Sequence, residues 1–184
     1  NFVDQTTLVA TIKVLNMCGY GVYVSPAQRC CGAIHLHAGF AEKAAEFAQI
    51  NRDAFAQLGV DKIITVASGC AAVLQEYPLP IFDVSQFLDQ IIWPKNLQLK
   101  SLPERVALHT PCTLRNVLKQ VDAPIKLLQK IPQLELVPLK TTYCCGAAGL
   151  YMLEHAQMSD ELLQRILSEI TAQKFDWLLT SNIG

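Results

Sequence analysis

Apolar residues recur near the start of the chain at Leu8, Ile12 and Leu15, with Val9 and Val14 beside them. Thr6 opens this run and Gly19 follows it, so the spacing predicts a helix between the two. The pattern then switches to alternation. Val22 and Val24 share one face of Tyr20–Val24, which predicts a short strand stopped by Ser25-Pro26. Positions 39–58 return to a helical pattern rich in Ala, Glu and Phe, with Gly59 as the cap. Lys62–Ala67 is a β-branched apolar run, hence a buried strand, leading into Ser68-Gly69-Cys70. A helix over Ala71–Glu76 ends at Pro78, and a second over Ser85–Ile92 starts at Ser85 as N-cap and ends at Trp93-Pro94.

Beyond a Pro-, Lys- and Asn-rich stretch at 94–104, the pattern predicts a strand over Arg105–His109 and a helix over Ala123–Gln129. A strand over Leu134–Leu139, a helix from Ser159 as cap to Ala172, and a last strand over Trp177–Thr180 follow. Strands alternating with helices of this length indicate an α/β fold. Each of two subdomains is expected to hold a mainly parallel sheet flanked by helices. Ligands in such folds sit beyond the carboxyl ends of strands.

The division into two rests on a repeat. Cys30-Cys31-Gly32-Ala33 reappears as Cys144-Cys145-Gly146-Ala147. The segment from Asp61 to Gly69 lines up with that from Asp176 to Gly184. Cys31 lies 30 positions before Asp61, and Cys145 lies 31 before Asp176, so one small indel separates two copies of one unit. The expected boundaries are 1–95 and 103–184, with the linker at about 94–104.

The cysteines give the repeat its chemistry. There are seven: Cys18, Cys30, Cys31, Cys70, Cys112, Cys144 and Cys145. An odd count with two adjacent pairs is a poor disulfide framework and points to metal or redox work in a reducing compartment. Thiolates converging from separate loops suit zinc or an iron–sulfur cluster. A Cys-Cys pair reaches different irons of a multinuclear cluster more easily than it reaches one zinc. Carrying the Cys112-to-Cys144 spacing of 32 back from Cys30 places a further cysteine about two residues before Asn1. Carrying Gly69-Cys70 forward places another directly after Gly184. Cys18 has no counterpart in the repeat and reads as a buried apolar residue.

Composition narrows the classes. Over 184 residues, 51% are apolar and 17% charged, and 15 basic against 16 acidic residues leave a formal net charge of −1. That balance, without a basic stripe, gives no electrostatic footprint for nucleic acid. No run of about 18 apolar residues spans a bilayer, and Asn1–Gln5 has no basic start or long apolar stretch of a signal peptide. Ser68-Gly69 and Gly146–Gly149 lack the Lys and the spacing of a phosphate loop.

Cys112…Cys144-Cys145-Gly146, with Cys30-Cys31-Gly32…Ser68-Gly69-Cys70, resembles the cysteine-rich CCG domain. That domain occurs in pairs in the B subunit of heterodisulfide reductase and in the C-terminal part of the glycolate oxidase iron–sulfur subunit. His109-Thr110-Pro111-Cys112, Cys144–Gly149 and Ser181–Gly184 look most like the glycolate oxidase subunit. The resemblance implies two Rossmann-like halves and an electron-transfer module of a 2-hydroxy-acid dehydrogenase complex. Its cofactor would be a [4Fe–4S] cluster, non-cubane in the heterodisulfide reductase branch, with zinc at one site in another branch. It implies Cys30, Cys31 and Cys70 at one site and Cys112, Cys144 and Cys145 at the other. A cofactor so held would be poorly retained by the chain as written. A flavin-containing dehydrogenase subunit would be the partner, and a cytoplasmic location, on the inner face of the membrane through the complex, would follow. The chain departs from the full motif at Val73, where C-x-x-C needs its second thiol.

Around the cysteines, His109 and His35 are candidates for hydrogen bonding to cluster sulfur or substrate. His37 shares the His35 segment, His155 reads as solvent-facing, and Arg29 and Arg115 neighbour the thiols. Two other readings stand beside electron transfer. One is a disulfide or heterodisulfide reductase subunit, and the other is a structural zinc module that docks partner subunits.

Overall fold

The computed structural model describes residues 4–77, 80–137, 139 and 143–182. Helix α1 runs over Gln5–Met17. The Asp4 carboxylate accepts the Thr7 N–H at 3.2 Å, so the helix opens one residue ahead of Thr6. It closes at Gly19 in the left-handed region, where the Tyr20 N–H donates to the Leu15 carbonyl. A short helix α2 (Ala33–His37) precedes α3 (Ala41–Ala56). The pattern from 39 to 58 predicts the second of these and gives no sign of α2.

Strand β1 (Ile63–Thr65) leads into α4 (Ser68–Leu74). Ser68, Gly69 and Cys70 therefore form the first turn of a helix, where the sequence reading had them in a connection. Strand β2 (Ile81–Asp83) pairs parallel with β1, Ile63 opposite Ile81 and Thr65 opposite Asp83. Helix α5 (Val84–Gln90) follows, capped by Asp83, whose carboxylate accepts the Ser85 N–H at 2.9 Å. Asp83 rather than Ser85 is the cap, because its longer side chain reaches the free amide two residues on.

The second sheet is built from β3 (Arg105–His109), β4 (Glu135–Val137) and β5 (Trp177–Thr180), all parallel in the order β4-β3-β5. A π-helical turn over Thr113–Val117 and α6 (Asp122–Leu128) connect β3 to β4. Helices α7 (Tyr151–Glu154) and α8 (Ala156–Thr171) connect the Cys144–Cys145 segment to β5. The fold is α/β, as the alternation of patterns predicts.

Two further expectations fail for physical reasons. Tyr20–Val24 forms no strand, since alternation fits a residue to a pleat but supplies no neighbour to bond. Ser159 does not cap α8. The helix starts at Ala156, and Ser159 is buried in it with its hydroxyl donating to the Gly146 carbonyl at 3.0 Å.

The core of the first sheet region joins Leu15 and Cys18 of α1 to Phe87 and Leu88 of α5. Cys18 is thus the buried apolar thiol expected, and burial pushes its pKa up. Central strand β3 is the most enclosed, with Val106 and Ala107 at 2% and 0% exposure. The two regions meet where α4 packs on the π-turn through Ala71, Leu114 and Leu118. The Ser68 and Thr113 hydroxyls bond there at 2.7 Å.

Candidate functional site

The first Cys-Cys loop is shaped by what lies beneath it. Gly32 has φ +85, and a Cβ there would come within 3.2 Å of the Ala44 backbone on α3. Both the left-handed backbone and the close approach require glycine. Asn51, one turn pair further along α3 and 1% exposed, clamps the loop from below. Its carbonyl oxygen accepts the Arg29 N–H at 2.7 Å, and its amide donates to the Cys30 carbonyl at 3.0 Å. A buried amide that satisfies two loop groups fixes where both cysteines point.

Cys31, buried in the loop, meets Cys70 in the first turn of α4. The Cys31 thiol donates to the Cys70 sulfur at 3.3 Å across 39 residues of sequence. That bond shifts the two thiols in opposite directions. Cys70, as acceptor, is lowered, first by the Cys31 hydrogen bond and against its own burial. Cys31, as donor, is raised by the same bond and by burial. Cys30 is exposed, accepts the Gly32 N–H on sulfur at 3.5 Å, and its charge acts on Cys70.

The second loop repeats the device. Gly146 has φ +83, and a Cβ there would lie 2.7 to 2.9 Å from Ser159 atoms, including its backbone. The Gly146 N–H donates to the Cys144 sulfur at 3.4 Å. Cys112 precedes the π-turn at the end of β3. Its pKa is raised by burial and then by the neighbouring Cys144 and Cys145 charges, which places the three thiols in one electrostatic neighbourhood.

The structure thus brings Cys31 to Cys70 directly and Cys112 towards Cys144 and Cys145. Among the described residues, no three His, Cys, Asp or Glu side chains gather tightly enough to hold one ion. Two thiolates on one tetrahedral zinc stand about 3.8 Å apart for Zn–S bonds of about 2.3 Å. The 3.3 Å contact between Cys31 and Cys70 is a hydrogen bond between two sulfurs, tighter than that spacing. As a donor set the groups suit a soft metal: all six are sulfur, one thiolate is favoured, and backbone N–H groups aim at two of the sulfurs.

The other candidates divide differently. His109 Nδ1 bonds the Thr180 hydroxyl at 3.1 Å, tying β3 to its register partner on β5. Burial, then the Arg115 charge, lowers the His109 pKa. His35 lies on α2 with its ring 5.2 Å from that of Phe47, and its Nδ1 is buried without a partner among the described residues. His37, on the same helix, comes near Gly149 of the second loop. His155 is exposed and packs on Tyr151. Arg29 donates to the Pro26 and Gln28 carbonyls, and Arg115 to that of Thr110, so both brace the chain beside the thiols.

Sequence reasoning missed Asn51, Ser159 and the Ser68–Thr113 pair. The signal for Asn51 was its place on the apolar stripe of α3, in line with Ala44, Ala48 and Phe55. A polar residue on a core stripe needs a partner.

A family model described as the cysteine-rich domain matches residues 2–75 and 106–184. The probable glycolate oxidase iron-sulfur subunit of Bacillus subtilis is 31% identical over 95% of this chain and 44% of its own length. Lactate utilization protein A of Geobacillus thermodenitrificans is 28% identical over 95% of the chain and 80% of its own length. The glycolate oxidase iron-sulfur subunit of Escherichia coli is 29% identical over 98% and 49%. The chain therefore spans under half the length of the two glycolate oxidase subunits. Among the described residues, no helix is long and apolar enough to cross a membrane.

Proposed function

The chain belongs to the cysteine-rich domain family, and from that premise we propose that it is an electron-transfer module of a complex that oxidises a 2-hydroxy acid such as glycolate or lactate. Residues 1–95 and 103–184 are its two repeats in this reading. Cys30, Cys31 and Cys70 would hold one iron–sulfur site, and Cys112, Cys144 and Cys145 the other. When bound, such a cluster passes one electron at a time.

The chain's own residues prepare the site. Asn51 and Gly32 fix the first loop so that Cys31 faces α4. The Cys31–Cys70 hydrogen bond lowers the Cys70 pKa, which favours the thiolate, the form that ligates metal. Gly146 and Ser159 set the second loop over α8. The amides of Gly32 and Gly146 donate to sulfur, which would stabilise negative charge there. A flavin-bearing subunit would deliver the electrons, and contact with the membrane would come through partners.

The observation that carries this reading is the Cys31–Cys70 contact, because it joins the Cys-Cys loop to the late cysteine of the same repeat. The test is anaerobic purification of the longer protein that contains this chain, with iron and sulfide analysis and EPR. An iron–sulfur signal that disappears in Cys31→Ser supports the reading. Stoichiometric zinc with no iron would replace it with a structural zinc module.

A further inference from the structure

The sulfurs of Cys31 and Cys70 stand 3.3 Å apart, one carried by a loop and the other by the first turn of α4. A disulfide bond is about 2.05 Å long, so about 1.3 Å separates the contact from a covalent bond. A side chain closes such a gap by turning about χ1. Both ends are already seated. Gly32 and Asn51 hold the Cys31 loop from beneath, and Leu74, Tyr77 and Ile81 join Cys31 in one buried cluster against which Cys70 packs. Reacting groups held in place need no search to find each other.

The two sulfurs differ in access. Cys31 is buried, whereas Cys70 is half-buried and is the one of the pair that a small oxidant reaches first. Cys30, next in the chain, is exposed, yet no sulfur–sulfur bond joins it to Cys70 among the described residues. Geometry therefore selects the partner that is 39 residues away over the one that is nearer the solvent.

We propose that Cys31 and Cys70 are a redox-active dithiol that closes reversibly to a disulfide when the first site is empty, with a peroxide as the oxidant. The Cys70 sulfur attacks one oxygen of hydrogen peroxide and the O–O bond breaks. Cys70 becomes a sulfenic acid, and its proton leaves with the other oxygen as water. The Cys31 sulfur then attacks the Cys70 sulfur and the S–O bond breaks. The Cys31 proton leaves with the hydroxyl as a second water. Two electrons pass from two thiols to one peroxide, and a thiol reductant returns them by exchange. A thiol held this close traps the sulfenic acid before a second peroxide carries it to the irreversible sulfinic acid. The bridge also occupies both sulfurs, so the closed pair accepts no metal until it is reduced. That last consequence rests on Cys31 and Cys70 being ligands; the bridge itself does not.

The test uses the longer protein that contains this chain. Its metal is removed by a chelator under dithiothreitol, the reductant is removed without oxygen, and equimolar hydrogen peroxide is added. Free thiols are then alkylated, and the peptides are mapped by mass spectrometry without reduction. The expected main product is a Cys31–Cys70 link, two hydrogens lighter than the free peptides and reopened by dithiothreitol. It should persist in Cys30→Ser and vanish in Cys31→Ser, with circular dichroism showing that both variants stay folded. A Cys30–Cys70 link that survives Cys31→Ser overturns the proposal. So does Cys70 driven to sulfinic acid, or left reduced, while Cys31 remains a free thiol. The protein with its metal in place should link about tenfold more slowly, since bound sulfurs are not free to meet. Equal rates would leave the dithiol standing and remove Cys31 and Cys70 from the metal site, so the two ideas fail by different results.

Discussion

The two Cys-Cys-Gly loops carry one sequence and sit over equivalent helix positions, yet they are anchored by different polar groups. Gly32 rests on Ala44 of α3, and Gly146 rests on Ser159 of α8. Those helix positions differ by 115, the offset of the repeat (159 − 44). Two turns on, Asn51 clamps the first loop through Arg29 and Cys30, whereas its counterpart Ile166 (51 + 115) is buried in the apolar core. The second loop is held instead by the Ser159 hydroxyl on the Gly146 carbonyl. The duplicated element is the glycine-backed turn, and each copy found its own hydrogen bond to fix it.

The sharpest way to break the comparison is at the glycines. Gly146→Ala places a methyl under 3 Å from the Ser159 backbone in a left-handed conformation. It should destabilise by about 3 kcal/mol or more, from strain and overpacking together. Gly32→Ala meets Ala44 at 3.2 Å and should cost less, about 1–2 kcal/mol. Urea unfolding of both variants measures the difference, and an equal cost would contradict the unequal clearances.

Next is the clamp. Asn51→Ala leaves the Arg29 amide and the Cys30 carbonyl without their partner and should cost about 2–3 kcal/mol. It should also speed alkylation of Cys31, read by mass spectrometry. The reciprocal Ile166→Asn should restore nothing, because that change buries an amide in the core of α8.

Ser159→Ala converts the second anchor towards the first. The lost hydroxyl bond should cost about 1 kcal/mol in urea unfolding.

The smallest effect is one of pH. Burial holds the His109 pKa below its unfolded value of about 6.5. A depressed histidine contributes stability that is complete above the unfolded pKa and is lost as pH falls through the native one. His109→Gln should flatten the decline in stability between neutral and mildly acidic pH. An unchanged slope would show that burial does not keep the imidazole neutral.

Much of this arrangement is legible in the sequence, because its cause is local. The alternation of patterns gives the α/β class, and the repeated Cys-Cys-Gly gives the two loops. What escapes depends on partners far away. Val22 and Val24 alternate as a strand should, but a strand exists only when a neighbour accepts its hydrogen bonds. Ser159 looks like a cap because it precedes an apolar run, while its hydroxyl is committed to Gly146 thirteen residues upstream. Cys70 follows an apparent strand end, and only in the fold does its helix carry it against Cys31. The π-turn at 113–117 has no compositional signature.

The buried Ser68–Thr113 hydroxyl pair has a consequence for how the two thiol neighbourhoods relate. Ser68 stands two residues before Cys70, and Thr113 stands one after Cys112, so positions 42 apart along the chain (112 − 70) are riveted within a few bonds of each other. The two cysteine-bearing segments are thus held to one another by a side-chain bond as well as by packing.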